Sequence, residues 1–209
     1  MPAFSTEERQ LLHDSATDFF ADRYGPDRAL ALARADGFGR AEWADYAALG
    51  WLGLMMPEAL DGADGGLTEA AILFAAAGRG LAQEPLIPTM VLGAGALARI
   101  GGPAQAALLK DVAAGARVLT FMHAEPDAGY ARDHVRAVAA RTDAGWALSG
   151  AKRFALGAQD ADALLVSARI GGADGPVGLF VVPADAAGVT LNGAPALDGR
   201  RGAAARFDA

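Results

Sequence analysis

His123 and Glu125 stand two residues apart in the stretch Phe121-Met122-His123-Ala124-Glu125-Pro126-Asp127-Ala128-Gly129-Tyr130, where a strand gives way to an acidic turn. An imidazole and a carboxylate at that spacing can act as an acid/base pair, and they equally serve as a surface or capping pair. Proline and glycine mark turns in any protein, so the stretch also reads as a plain strand-end loop. A second segment, Trp146 to Ala158, reads as two strands joined by a tight turn at Ser149-Gly150, with Trp146 and Phe154 as core aromatics. Arg79, between Gly78 and Gly80, reads as the end of an apolar helix, because glycine terminates helices and a cation suits the last turn.

Other chemistries find no residues to carry them. There is no Gly-x-Gly-x-x-Gly after a strand, no Walker-type phosphate loop and no Gly-x-Ser-x-Gly elbow. The chain has no cysteine, hence no disulfide and no thiolate, and His13, His123 and His134 lack the spacing of a zinc helix, so no metal site is expected. A net charge of −7 and a pI near 4.9 argue against a dominant phosphate-neutralising surface, so nucleic acid is not an expected partner. The opening MPAFSTEERQ is polar and acidic rather than a secretory signal, so a cytoplasmic location is expected. The longest purely apolar run, Ala70–Ala77, is far short of the ~20 residues that a span needs, so no membrane insertion is expected.

The elements that must position these residues fall into two textures. With 53% hydrophobic and 21% charged residues and a mean hydropathy of +0.21, the chain has ample apolar surface for a packed core. Ser5 and Glu8 form a capping-box pattern, and Leu12, Ala16, Phe19 and Phe20 share a face, giving a helix from about Ser5 to Tyr24 that Gly25-Pro26 ends. Further helices are expected at Arg40–Leu49, Thr68–Leu81, Pro88–Ile100 and Pro103–Ala114, with an exposed loop from Met56 to Gly66. Past Gly115 come short strands: Arg117–His123, Asp133–Arg141, Trp146–Ser149, Lys152–Leu156, Ala163–Ile170, Val177–Val182 and Val189–Leu191. The expected fold is α+β: an all-helical bundle domain over residues 1–115, then a small antiparallel β-barrel or sandwich domain over 116–209.

Taken together, the segments resemble the acyl-CoA dehydrogenase family along essentially the whole chain. Five features carry the resemblance: the helix Thr6–Phe20; Trp51-Leu52-Gly53-Leu54 to Pro57-Glu58 before a Gly-rich loop; Leu67–Leu81 ending Gly-Arg-Gly-Leu; the Glu125-Pro126 turn; and Trp146…Gly150-x-Lys152. The resemblance implies FAD as cofactor, an acyl-CoA as substrate, α,β-dehydrogenation as reaction, assembly into homo- or hetero-oligomers of dehydrogenase subunits, and electron-transfer flavoprotein as acceptor. Carried over position by position, it puts Phe121, His123, Ala124, Gly129, Tyr130, Phe154 and Leu156 beside the flavin.

The chain departs from the pattern in three ways. Where the family usually reads Thr-Glu-Pro-Gly-x-Gly-Ser-Asp, this sequence has Ala124-Glu125-Pro126-Asp127-Ala128-Gly129-Tyr130-Ala131, and Phe154-Ala155-Leu156-Gly157 replaces Trp-Ile-Thr-Asn. Hydroxyls that would reach the flavin are thereby lost, each worth about 0.5–1.5 kcal/mol unless backbone amides compensate. The resemblance also places the catalytic glutamate in a C-terminal helical bundle that these residues do not include, and it makes Glu125 a turn carboxylate, too weak a base unless buried. Hence no catalytic residue is assigned within the chain. The alternative expectation is a flavin-poor, non-catalytic subunit of a heteromeric dehydrogenase; a related oxidase or monooxygenase chemistry is not separated from the first by these residues.

Overall fold

A computed structural model describes residues 4–35, 38–143 and 145–208. Helices come first. Ser5 caps α1 (Thr6–Arg23): its hydroxyl accepts from the Glu8 amide at 3.1 Å while the Glu8 carboxylate accepts from the Ser5 amide at 2.7 Å. Gly25-Pro26 ends that helix as expected, but Pro26 also opens α2 (Pro26–Arg34), which the sequence reading did not place. Proline fits a first helical turn because the amide it lacks has no partner there. Then come α3 (Arg40–Ala48), burying Trp43 and Tyr46, and α4 (Leu67–Arg79), which packs on α1. Alpha-helix α4 buries Ala70, Leu73, Ala76 and Ala77 on one side and leaves Leu67, Ala71 and Ala75 in water, so it flanks the bundle rather than running through its centre.

The expected helix from Pro88 to Ile100 is wound in two ways. Ile87–Ala94 is π-helical and runs into α5 (Gly95–Ile100). Hydrogen bonds that close i to i+5 stack residues five apart, so Ile87 and Leu92 share a face. Helix α6 (Ala106–Ala113) follows a short turn at Pro103–Gln105.

Among the described residues, seven strands then form one curled sheet: β1 (Leu119–Met122), β2 (Val138–Thr142), β3 (Gly145–Leu156), β4 (Ala163–Ile170), β5 (Val177–Pro183), β6 (Val189–Pro195) and β7 (Arg201–Asp208). The order is β1-β4-β2-β3-β7-β6, with β5 on the other edge of β4. The α+β expectation holds, while the sheet is mixed rather than antiparallel throughout: β1 and β2 both run parallel to β4. The physical reason is the long turn between β1 and β2, which carries the chain back so that both strands lie along one edge of β4 in the same sense.

The expected hairpin at Ser149-Gly150 is corrected too. Residues 145–156 are a single strand whose first part pairs with β2 and whose second part pairs with β7. Gly150, at φ +139°, stays in that strand, where a Cβ would lie 2.8 Å from the Ala137 Cα; the glycine permits a close crossing rather than a turn. The hairpin forms instead between β2 and β3, with Thr142 opposite Gly145.

One apolar cluster joins both halves, placing Phe20, Trp43, Trp51 and Leu73 in the same core as Met122, Ala139, Leu164 and Phe207. A second packs Leu97, Leu109 and Val112 against Leu119 and Leu165. Among the described residues, no helix is long and apolar enough to cross a membrane.

Candidate functional site

Phe121 and His123 alternate along the end of β1, and their rings stack with centroids 5.6 Å apart. Across from them the end of β3 presents Arg153, Phe154 and Leu156, and the π-helical run supplies Ile87, Pro88 and Leu92. Together they bound an open groove of about 460 Å³. Thr120 fixes two of its walls to one another, donating its hydroxyl to the Leu156 carbonyl at 2.9 Å.

Phe121, His123, Ala124, Phe154 and Leu156, all carried over by resemblance, line this groove. Gly129 and Tyr130 do not: they sit in the turn after Glu125, and Tyr130 is fully exposed. The reason is visible in Glu125, whose carboxylate accepts from the Arg136 amide at 2.7 Å and the Ala137 amide at 3.0 Å. Pinning the two ends of the turn together leaves Gly129 and Tyr130 on its exposed outer side. It also withholds those amides from the ladder, which is why β2 begins at Val138 rather than at Asp133.

His123 and Glu125 do not pair with each other. Beneath the groove lies Lys152, 1% exposed, whose ammonium donates to Glu125 Oε1 at 2.6 Å, Ser167 Oγ at 3.1 Å and the His123 carbonyl at 3.2 Å. All three of its protons are thus used. Ser167 meets His123 Nδ1 at 2.9 Å, and His123 Nε2 meets the Arg132 carbonyl at 2.7 Å, so Nε2 carries the proton and Nδ1 accepts from the Ser167 hydroxyl. The result is a closed network in which each polar atom has a partner.

Glu125 is therefore not the exposed turn carboxylate of the sequence reading, since it is only 4% exposed. Burial pushes its carboxyl up, but the bonds from Lys152, Ala137 and Arg136 outweigh that and hold it below the usual carboxylate range. Burial pulls Lys152 below the ordinary lysine value, and Glu125 offsets part of the fall. A carboxylate so committed is an anchor, not a base.

In the sequence Lys152 stands out only within the Gly150-x-Lys152 motif, and Ser167 does not stand out at all. A signal existed for Lys152: it shares strand parity with buried Leu148, so the period of two points it inward, where a cation requires an acceptor. Ile87, Pro88 and Leu92 carried no such signal. Trp146 and Phe154, expected in the core, are each 41% exposed. Trp146 stands edge-on to Phe180 with Arg141 over its ring, and Phe154 is turned to the groove.

Two domain models of one family match the chain. The model for the N-terminal domain of acyl-CoA dehydrogenases matches residues 6–116, and that for the middle domain matches residues 120–207. Among curated proteins, the acyl-CoA dehydrogenase FadE12 of Mycobacterium tuberculosis is 33% identical over 192 residues, which cover 88% of this chain and 48% of that protein. The chain thus spans about half the length of the curated relatives it matches. Among solved structures, a variant of the Tcur3481–Tcur3483 steroid ACAD superposes with a TM-score of 0.87 at 33% identity, over 97% of this chain and 55% of that one. The ChsE4–ChsE5 complex from Mycobacterium tuberculosis superposes with a TM-score of 0.85 at 26% identity, over 100% of this chain and 56% of that one.

Proposed function

The chain belongs to the acyl-CoA dehydrogenase family, and from that premise we propose that it is the cofactor-facing portion of an FAD-dependent enzyme that desaturates an acyl-CoA between its α and β carbons. One observation supports this above the rest: the groove joining β1, the end of β3 and the π-helical run is walled by aromatic and aliphatic faces. A flavin ring is flat and apolar on its faces, and the stacked Phe121–His123 pair with Phe154 and Leu156 fits it. Bound there, FAD supplies the acceptor for the hydride that leaves the β carbon. The residues of this chain fix the groove's shape: Thr120 ties β1 to β3, and the Lys152–Glu125 anchor holds the turn that follows His123. Among the described residues the groove lining contains no aspartate or glutamate, so we assign α-proton removal to a carboxylate brought from outside it. Electron-transfer flavoprotein as acceptor completes the reading by resemblance.

A second reading, a flavin-poor subunit that completes a heteromeric dehydrogenase, is favoured by the donors. Ala124 and Leu156 have no hydroxyl, Tyr130 lies outside the groove, and the hydroxyl of Thr120 is spent on a carbonyl. Two similar structures carry two-component names, Tcur3481–Tcur3483 and ChsE4–ChsE5, which fits the same reading. Titrating the purified chain with FAD, alone and mixed with a second dehydrogenase subunit, separates the two. A protein-bound flavin spectrum from the chain alone supports the first reading and sinks the second; colour confined to the mixture does the reverse. No uptake in either sample retires both.

A further inference from the structure

Charge in the groove runs against the charge of the molecule. The chain carries a net −7, yet among the described residues the groove is lined by Arg153 and Arg200 and by no carboxylate. Arg200 is already paired, its Nε and Nη2 lying 2.8 and 2.6 Å from Asp198. His123 uses both ring nitrogens and Thr120 its hydroxyl. Arg153 differs: its backbone amide binds the Ala124 carbonyl at 2.7 Å, while its exposed guanidinium meets no acceptor among the described residues.

A fault in the sheet puts it there. Between Lys152 and Ala155 strand β3 advances three residues while β7 advances two, from Ala205 to Ala203. That bulge breaks the strict alternation of sides, so neighbouring Arg153 and Phe154 both line the groove instead of facing opposite ways. An uncommitted guanidinium beside an aromatic wall suits a ligand that is flat and apolar at one end and anionic at the other. We propose that Arg153 is the phosphate-recognising residue of this groove. The identity of the ligand, a flavin nucleotide, rests on the function proposed above; the contact itself rests on the bulge and on the free cation.

The test is a ligand series on the 209-residue chain and its variants Arg153→Ala, Arg153→Lys and Arg141→Ala, the last lying against Trp146 instead. Riboflavin, FMN and FAD are titrated by quenching of flavin fluorescence, and coenzyme A by calorimetry. The wild type is expected to bind FMN and FAD at least about tenfold more tightly than riboflavin, the margin of one charge-assisted hydrogen-bonded pair. Arg153→Ala should erase that margin and leave riboflavin affinity within about twofold, Arg153→Lys should keep part of it, and Arg141→Ala all of it. An unchanged margin in Arg153→Ala overturns the assignment. If no flavin binds but coenzyme A does, with the same dependence on Arg153, the flavin reading falls and phosphate recognition stands. If neither a flavin nor coenzyme A depends on Arg153, the assignment falls.

Discussion

Lys152 and Glu125 show why two residues that look unremarkable in a sequence can govern a turn. Burying either alone leaves an uncompensated charge, whereas together they meet at 2.6 Å with every remaining donor and acceptor satisfied. Lys152→Ala should therefore cost about 3–5 kcal/mol in chemical denaturation, and the paired change Lys152→Met with Glu125→Gln should cost less than the sum of the two singles. The pair also sets a pH dependence. Glu125 has a carboxyl held below its unfolded value, so its stabilisation is fully present above about pH 4.5 and is lost as pH falls through the folded value. In melting curves taken from pH 6 to pH 3, Glu125→Gln should show a shallower acid limb than the wild type; parallel limbs would contradict the assigned ion pair. His123 and Glu125 were legible as candidates because their types and spacing are local. Their roles were not, since the side chains that decide them, Ser167 and Lys152, come from β4 and β3, 44 and 27 residues away along the chain.

Among the elements, helix α4 ends where Gly78-Arg79-Gly80 places its end, with Arg79 in the last turn and Gly80 as the cap, yet the cap is not of the usual glycine kind. Gly80 has right-handed backbone angles, and the left-handed position falls on Leu81 at φ +59°. The amides of Leu81 and Ala82 reach back to Gly78 and Ala77, a glycine-type termination carried by a leucine. Relieving that strain outweighs the entropy of a new glycine, so Leu81→Gly should stabilise the fold by about 0.5–1 kcal/mol in equilibrium unfolding. Gly150→Ala should act in the other direction. Its methyl would meet the Ala137 backbone at 2.8 Å and its φ of +139° suits glycine alone, so a loss of about 2–4 kcal/mol is expected, read as a drop in denaturation midpoint at unchanged slope. Caps and apolar periodicity made α1, α3 and β4 readable almost to the residue. The bulge in β3 and the π winding at Ile87–Ala94 left no such trace, because both arise from pairing and packing with β7 and β1.

At the scale of the molecule, the helices and the sheet share one apolar core, so neither half buries its face without the other. Unfolding should then be a single transition: in a Trp146→Phe variant, fluorescence from Trp43 and Trp51 in the helical part should change at the same denaturant concentration as circular dichroism of the whole. Two separated transitions would show that the halves fold apart. If FAD binds the native chain, free FAD at a hundredfold excess over its Kd should raise stability by about 2.7 kcal/mol, visible as a shifted melting temperature. The sequence by itself determined the helical-then-strand order and the first helix with its cap, because local periodicity and capping act over a few residues at a time, and its motifs, taken in order along the chain, carried the family resemblance. Tertiary structure alone decided that β1 and β2 lie parallel to β4, that Lys152 meets Glu125, and that Arg153 and Phe154 turn to the same side of β3. Those outcomes depend on which strand pairs with which, and pairing is settled by burial of a shared face across distant parts of the chain rather than by any local pattern.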